Sequence, residues 1–292
     1  MSDIRLGVIG GSGLYHMEGL EIHEERHITT PFGDPSDAFT IGEIDGSPVA
    51  FLPRHGRGHR ILPHELNFRA NIHGFKQLGV EWIVSVSAVG SMKEEYRPTD
   101  ILVPDQFVDR TRHRVDTFFG GGLVAHVSFA NPICALLRPI FFEAAKQAGA
   151  RAHDGGTYLC MEGPQFSTRA ESEIYRQWGV DVIGMTNLQE AKLAREAEIC
   201  YATLAMVTDY DCWHEEEDDV SGHAVMEVLQ QNAATAQDVV RRILRRLPIE
   251  RTCECPTALQ SALITESAAI PQQTRQDLAL LVDKYLGNPT GS

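Results

Sequence analysis

The chain has 292 residues, of which 43% are apolar and 23% charged, ordinary globular usage that excludes disordered and fibrous classes. Lys and Arg number 26 against 40 Asp and Glu, a net charge of -14, which excludes a general nucleic-acid binder because polyanion affinity needs an excess of basic residues. No run of 18 apolar residues suggests a membrane partner, the N-terminal stretch lacks the regions of a secretory signal, and Cys134, Cys160, Cys200, Cys212, Cys253 and Cys255 are too scattered for a disulfide framework, so a cytoplasmic location is expected.

Residues 4–9 form an apolar run that ends in Gly10-Gly11-Ser12-Gly13, a strand entering a glycine-rich turn. A second strand is predicted over 49–52, stopping at Pro53-Arg54-His55-Gly56-Arg57-Gly58-His59. Pro63 suits the first turn of a helix whose apolar face uses Leu66, Ala70, Phe75 and Leu78, closed by Gly79. A third strand over 82–86 meets the small-residue turn Ser87-Ala88-Val89-Gly90-Ser91. Further on, 101–104 reads as a strand, 133–148 as an amphipathic helix and 156–161 as a strand. Thr168 with Glu171 predicts a capping box for a helix through Trp178, and 180–185 another strand. Thr186 with Gln189 predicts a second capping box, opening a helix that runs to Glu198. The most apolar strand, 199–208, leads into Asp209-Tyr210-Asp211; the acidic stretch 215–219 reads as a solvated loop and 225–246 as one long helix. Beyond Pro248 the chain turns polar, so 250–292 is expected to be a C-terminal tail packing on a single domain, 1–292. Strands alternating with helices predict an α/β domain with a twisted, mostly parallel mixed sheet flanked by helices.

In such sheets ligands bind beyond the carboxyl ends of the strands. The residues placed there are Ser12, Arg54, His55, Ser87, Ala88, Met185, Thr186, Asp209 and Asp211. Small residues around Ser12 let backbone N–H groups approach an anion, although Gly11-Ser12-Gly13-Leu14-Tyr15-His16 lacks the third glycine of a dinucleotide fingerprint. Ser87 and Thr186 add hydroxyls at helix N-termini, and Arg54 adds a guanidinium fork. Together these residues suit a phosphate pocket. His55, His59 and His64 do not suggest a metal, because Arg54, Arg57 and Arg60 would repel a cation; His55 fits a phosphate donor better.

Asp209 and Asp211, two apart on a strand, would point to one side. A helix N-cap plus a surface acid is the competing reading. Two acids at a buried strand end are costly unless something binds them, and a 6-aminopurine protonated at N7 offers adjacent donors at N7 and N6. A 6-oxopurine would present an acceptor there, which an Asn suits better.

The sequence resembles the methylthioadenosine phosphorylase branch of the trimeric purine nucleoside phosphorylase family, from the N-terminus to about the long C-terminal helix. The matching segments are Gly10-Gly-Ser-Gly-Leu14, Thr30-Pro-Phe-Gly-Asp-Pro-Ser-Asp37, Pro53-Arg-His-Gly-Arg-Gly-His59, Asn67-Phe-Arg-Ala-Asn71 and Ser87-Ala-Val-Gly-Ser91. They continue with Asp105-Gln-Phe-Val-Asp-Arg-Thr111, Glu162-Gly-Pro-Gln-Phe-Ser-Thr168, Gly184-Met-Thr186 and Thr208-Asp-Tyr-Asp-Cys-Trp213. The resemblance implies reversible phosphorolysis of 5'-methylthioadenosine to adenine and 5-methylthioribose 1-phosphate. It places phosphate, a co-substrate, on Ser12, Arg54, His55, Ser87, Ala88 and Thr186, and ribose on Met185. It places the base against Phe166 and Ser167, with Asp209 and Asp211 at N7 and the 6-amino group; Asp209 is the catalytic residue. It further implies a homotrimer or a dimer of trimers in which His126 reaches the neighbouring subunit's 5'-pocket, and no metal or organic cofactor.

Two departures from the family's pattern stand out. Gln189 replaces a proline, and Gly222 stands where relatives carry an apolar residue facing the 5'-methylthio group; Val225 and Met226 would still supply apolar lining. A one-residue shift would bring His223 to a 5'-hydroxyl, so methylthioadenosine is expected as best substrate and adenosine as a weaker one. Rival readings are a 6-oxopurine or methylthioinosine phosphorylase, a hydrolase and a silent nucleoside-binding module. Cys253 and Cys255 form a C-x-C, expected as two reduced thiols.

Overall fold

A computed structural model describes residues 4–11, 19–214 and 221–287. Ser12 and the acidic stretch 215–219 therefore lie outside the described residues. The strands are β1 (Leu6–Gly10), β2 (Leu20–Arg26), β3 (Phe39–Ile44), β4 (Ser47–Pro53), β5 (Trp82–Ser91), β6 (Ile101–Val103), β7 (Gln106–Arg110), β8 (Ala152–Asp154), β9 (Thr157–Met161), β10 (Val182–Gly184) and β11 (Cys200–Asp209). The helices are α1 (Phe68–Gln77), α2 (Leu137–Gln147), α3 (Arg169–Gln177), α4 (Asn187–Glu196), α5 (Gly222–Gln231), α6 (Ala233–Leu244), α7 (Gln272–Asp277) and α8 (Ala279–Leu286). All eleven strands join one mixed sheet: β2-β3-β4-β1-β5-β10-β9-β7 form the main path, while β11 pairs β5 and β6, and β6 pairs β8.

The pairings of β5 leave one stretch of its edge open. Its first half pairs parallel with β1 as far as Ile9 opposite Ser85, and its last residues pair antiparallel with β10 from Gly90 opposite Ile183. On the other edge β11 runs beside β5 for almost its whole length. Residues 86–89 therefore have β11 on one side and no strand on the other. Apolar packing fixes this frame: Trp82, Phe39, Phe51, Phe75 and Phe141 are fully buried among the aliphatic residues of β1, β4, β5 and β11.

Several predicted elements shift for identifiable reasons. The helix expected to open at Pro63 starts at Phe68, because the Asn67 side chain accepts the Ala70 N–H at 3.1 Å. The helix expected from 133 begins only at Leu137. The Thr168–Glu171 box is present, with the two reciprocal bonds at 3.2 and 2.9 Å. The Thr186–Gln189 box is not: Thr186 makes no side-chain cap bond, and buried Gln189 instead donates to Thr111 Oγ1 at 2.9 Å and accepts from Arg114 at 2.9 Å. The long helix over 225–246 is two, broken at Asn232, which ends α5 and precedes α6. After α6 the chain packs Cys255, Leu259, Ala262, Leu278, Leu281 and Val282 into the main core, and Glu198 fastens it by accepting from Leu259 N–H at 3.1 Å and Lys284 at 2.9 Å.

Candidate active site

At the β1 side of the open edge, Arg54 leaves the end of β4 and lies 3% exposed. Its Nε donates to Glu190 Oε1 at 2.5 Å, and Nη2 donates to Glu190 Oε2 at 3.3 Å and to Ser85 Oγ at 2.6 Å. Nη1 donates to the Val86 carbonyl at 2.9 Å, on the unpaired stretch of β5. The Glu190 carboxylate also receives the Ser85 and Tyr201 hydroxyls, each at 2.8 Å. Burial alone would lower the arginine's proton affinity, but the Glu190 charge outweighs it and holds the pKa above its usual value. The fork edge expected to grip phosphate is thus committed to Glu190. Nη1 keeps a second N–H beyond its bond to Val86.

Beside this pair, Asn187 opens α4. Its amide nitrogen reaches Ser85 Oγ (2.8 Å), Tyr201 Oη (2.9 Å) and Thr203 Oγ1 (2.9 Å), and its oxygen accepts the Ser87 hydroxyl at 2.5 Å. Thr186 is buried one residue ahead, at the positive end of the helix, and Ala88 is half-buried on the open stretch. His55 donates from Nδ1 to the Ile61 carbonyl at 2.8 Å and stacks on His59 at 4.3 Å. Burial, with Arg54 adding to it, pushes His55 down to about 4. It is neutral at pH 7, and because Nδ1 holds the proton, Nε2 is an acceptor.

At the β10 side, Asp209 and Asp211 meet over Gly90. A methyl group on Gly90 would lie 2.9 Å from Asp209 Oδ1 and 3.4 Å from Asp211 Cβ, so a side chain there would crowd both acids. Strand periodicity does not produce this convergence, contrary to the sequence expectation. The β5–β11 register slips between Val207 and Asp209, β11 ends at Asp209, and Asp211 sits in a turn at φ 53°. The Asp209 carboxylate accepts from Thr208 Oγ1 (2.7 Å) and Asp211 N–H (2.8 Å). Burial nevertheless raises the pKa of Asp209, and also that of Asp211 against the hydroxyls of Ser172 and Ser167. Trp213 steadies the turn by donating to the Ser91 carbonyl at 2.7 Å, with Arg176 3.6 Å above its ring.

Between the two ends, half-buried Met185 presses its sulfur against Gly163, where a Cβ would come within 2.6 Å. Arg114 holds this wall together by donating to the carbonyls of Met185, Met161 (3.1 Å) and Glu162 (2.5 Å). Ser167 is half-buried and Phe166 is 42% exposed. On α5, Gly222 is exposed and Val225 and Met226 are half-buried. His126 is exposed, its backbone N–H bonded to the Ala262 carbonyl at 2.9 Å. The sequence reading missed Glu190, Asn187, Ser85, Tyr201 and Arg114. The signal available for the first two was their i, i+3 spacing directly after Met185-Thr186.

An open strand edge beside a helix N-terminus, next to two carboxyl groups that burial biases toward protonation, is an arrangement suited to an enzyme that handles an anion and a nitrogen heterocycle. The family model of the phosphorylase superfamily matches residues 5–245: the chain belongs to that superfamily. It is 59% identical over 282 residues to S-methyl-5'-thioadenosine phosphorylase of Koribacter versatilis, covering 97% of each chain. The same enzyme of Geobacter sulfurreducens is 58% identical, over 96% of this chain and 99% of its own. Among solved structures, a methylthioadenosine phosphorylase from an antarctic soil metagenomic library superposes with a TM-score of 0.92 at 49% identity, covering 97% of this chain and all of the other. A Schistosoma mansoni methylthioadenosine phosphorylase in complex with adenine gives 0.81 at 32%, covering 95% and 97%. No described helix is long and apolar enough to cross a membrane.

Proposed function

We propose that the edge of β5 between Arg54 and Asp209 is where this enzyme performs phosphorolysis of 5'-methylthioadenosine, releasing adenine and 5-methylthioribose 1-phosphate. The observation that carries the reading is the pair of acids over Gly90, Asp211 buried and Asp209 half-buried, both with raised pKa values, beside the strand that the locked arginine touches. Phosphate would lie along residues 86–89, meeting Arg54 Nη1, Ser87, Ala88, the Thr186 hydroxyl at the start of α4, and Ser12. His55 Nε2 would accept the phosphate's own O–H, reversing the donor role expected from sequence.

Cleaving the glycosidic bond leaves an oxocarbenium-like sugar and negative charge on the departing purine. A protonated Asp209 places its proton at N7 as that charge develops, and Asp211 accepts from the 6-amino group. Met185 supports the ribose, Phe166 and Ser167 flank the base, and Gly222, Val225 and Met226 face the 5'-substituent. Phosphate is itself the nucleophile, so the protein supplies position and fixed charge, which are effective in a dehydrated site. No cofactor takes part in the chemistry on this reading. The enzyme would act in the cytoplasm as a trimer or a dimer of trimers, with His126 at the subunit junction.

Adenine release measured with and without phosphate tests the reaction. Turnover that persists without phosphate would make the enzyme a hydrolase. Comparing kcat/KM for methylthioadenosine and adenosine tests the 5'-pocket, with the thioether substrate expected to lead.

A further inference from the structure

Four cysteines far apart in the sequence meet at one point of the fold. Cys134 lies ahead of α2, Cys200 opens β11, and Cys253 and Cys255 follow α6. Their sulfurs all lie within 4.8 Å of one another, with Cys134 and Cys253 3.7 Å apart and Cys200 and Cys253 3.4 Å apart. All four are free thiols; Cys253 is half-buried and the other three are buried. A tetrahedral ion with metal–sulfur bonds of about 2.3 Å has sulfur–sulfur edges of about 3.8 Å, and the 3.7 and 3.4 Å contacts lie near that length.

We propose that these four cysteines hold one zinc ion in a closed structural site. The donor set is entirely sulfur, which selects a soft, thiolate-seeking ion over magnesium, calcium or manganese. The surroundings hold the first cysteine in place: the Cys134 carbonyl accepts from the Leu137 and Arg138 N–H groups, both at 3.1 Å. Cys134 also precedes the positive end of α2. Backbone bonds hold the cradle independently of the ion, since Cys134 N–H donates to the Tyr201 carbonyl at 2.9 Å. Arg195 clamps Glu254, the residue between the C-x-C pair, at 2.9 Å.

Loading involves no redox change: each thiol releases its proton to solvent as its sulfur binds zinc. Joining the same sulfurs as two disulfides would require an oxidant to take up four electrons. The site lies at the opposite end of β11 from Asp209, about 30 Å away at strand rise. The ion would therefore tie the segment after α6 to the sheet and take no part in catalysis.

The full-length protein, purified under reducing conditions without chelator, should carry about one zinc per chain by elemental mass spectrometry. Absorption at the zinc edge should show four sulfur neighbours near 2.3 Å. Stripping zinc with a mercurial and chelator should lower Tm, and adding zinc chloride should restore it. Cys253→Ser combined with Cys255→Ser should hold less than about a tenth of the wild-type zinc; if that variant does not fold, wild-type metal content and the edge spectrum decide. Metal-free protein that takes up no added zinc, iron in place of zinc, or an intact mass showing two disulfides would each overturn the proposal.

Discussion

The two ends of the open edge of β5 are built in opposite ways. At the Arg54 end every charge is matched: a buried guanidinium faces a buried carboxylate, Ser85 bonds both, Tyr201 donates to the carboxylate and Asn187 to Ser85. At the Asp209 end a half-buried and a buried acid share a small space with no cation bonded to them among the described residues, and desolvation shifts both toward the protonated form. On the proposed assignment, the contrast follows from what each end would do. An inorganic anion is best met by a rigid set of donors, because reorganisation at the moment of reaction costs rate. A departing base needs a proton that can move, and a carboxyl group whose desolvation favours the protonated form supplies one.

The hardest test of this contrast is Asp209→Ala, which should lower kcat by about 10²- to 10⁴-fold while the phosphate KM stays close to wild type. A near-normal kcat would mean that another group protonates N7. Next is Glu190→Gln, which leaves Arg54 buried without its counter-charge; removing one partner of such a pair costs about 3–5 kcal/mol. Thermal unfolding should register that loss, and steady-state kinetics should show phosphate KM rising far more than nucleoside KM. If both KM values rise equally, Glu190 supports the whole site instead of positioning Arg54.

Asp211→Asn should move preference toward 6-oxopurines, since an amide can donate where the carboxylate could only accept. Competing methylthioadenosine against methylthioinosine reads this out, and an unchanged ratio would remove Asp211 from base recognition. The smallest effect is remote from the cleft. Burial raises Glu196 from 4.5 to about 7 even though the Phe118 N–H and the Thr117 hydroxyl bond to it. The folded protein thus keeps a proton that the unfolded chain has lost, and stability should fall as pH rises between those two values. Glu196→Gln should flatten that part of the Tm-against-pH curve by a few degrees.

Features that depend on neighbours in the chain were readable in the sequence. The Thr168–Glu171 box, the strand 199–208 and the cluster of small and acidic residues at strand ends all follow from local rules. Features set by distant contacts were not. β2 is an edge strand with mostly exposed side chains, so it has no buried alternation to detect, and β7 and β8 are too short to show a period. Gln189 is helix-capping by its spacing, but Thr111 and Arg114 draw it elsewhere. Glu190 was missed because its partner lies 136 residues away. The acids were found for a reason the structure does not support, since a register slip and a turn bring them together where strand geometry would not.

The gap left beside residues 86–89 has a cost and a use. A more regular sheet would let β1 and β10 zip together along β5, gaining ladder bonds and removing the space where substrates would sit. Substitutions that improve the fold at this seam should therefore work against turnover, as expected where function depends on an unfinished part of the architecture. Stabilising the enzyme is safer in the apolar core, where Trp82, Phe51 and Phe75 are fully buried without any such compromise.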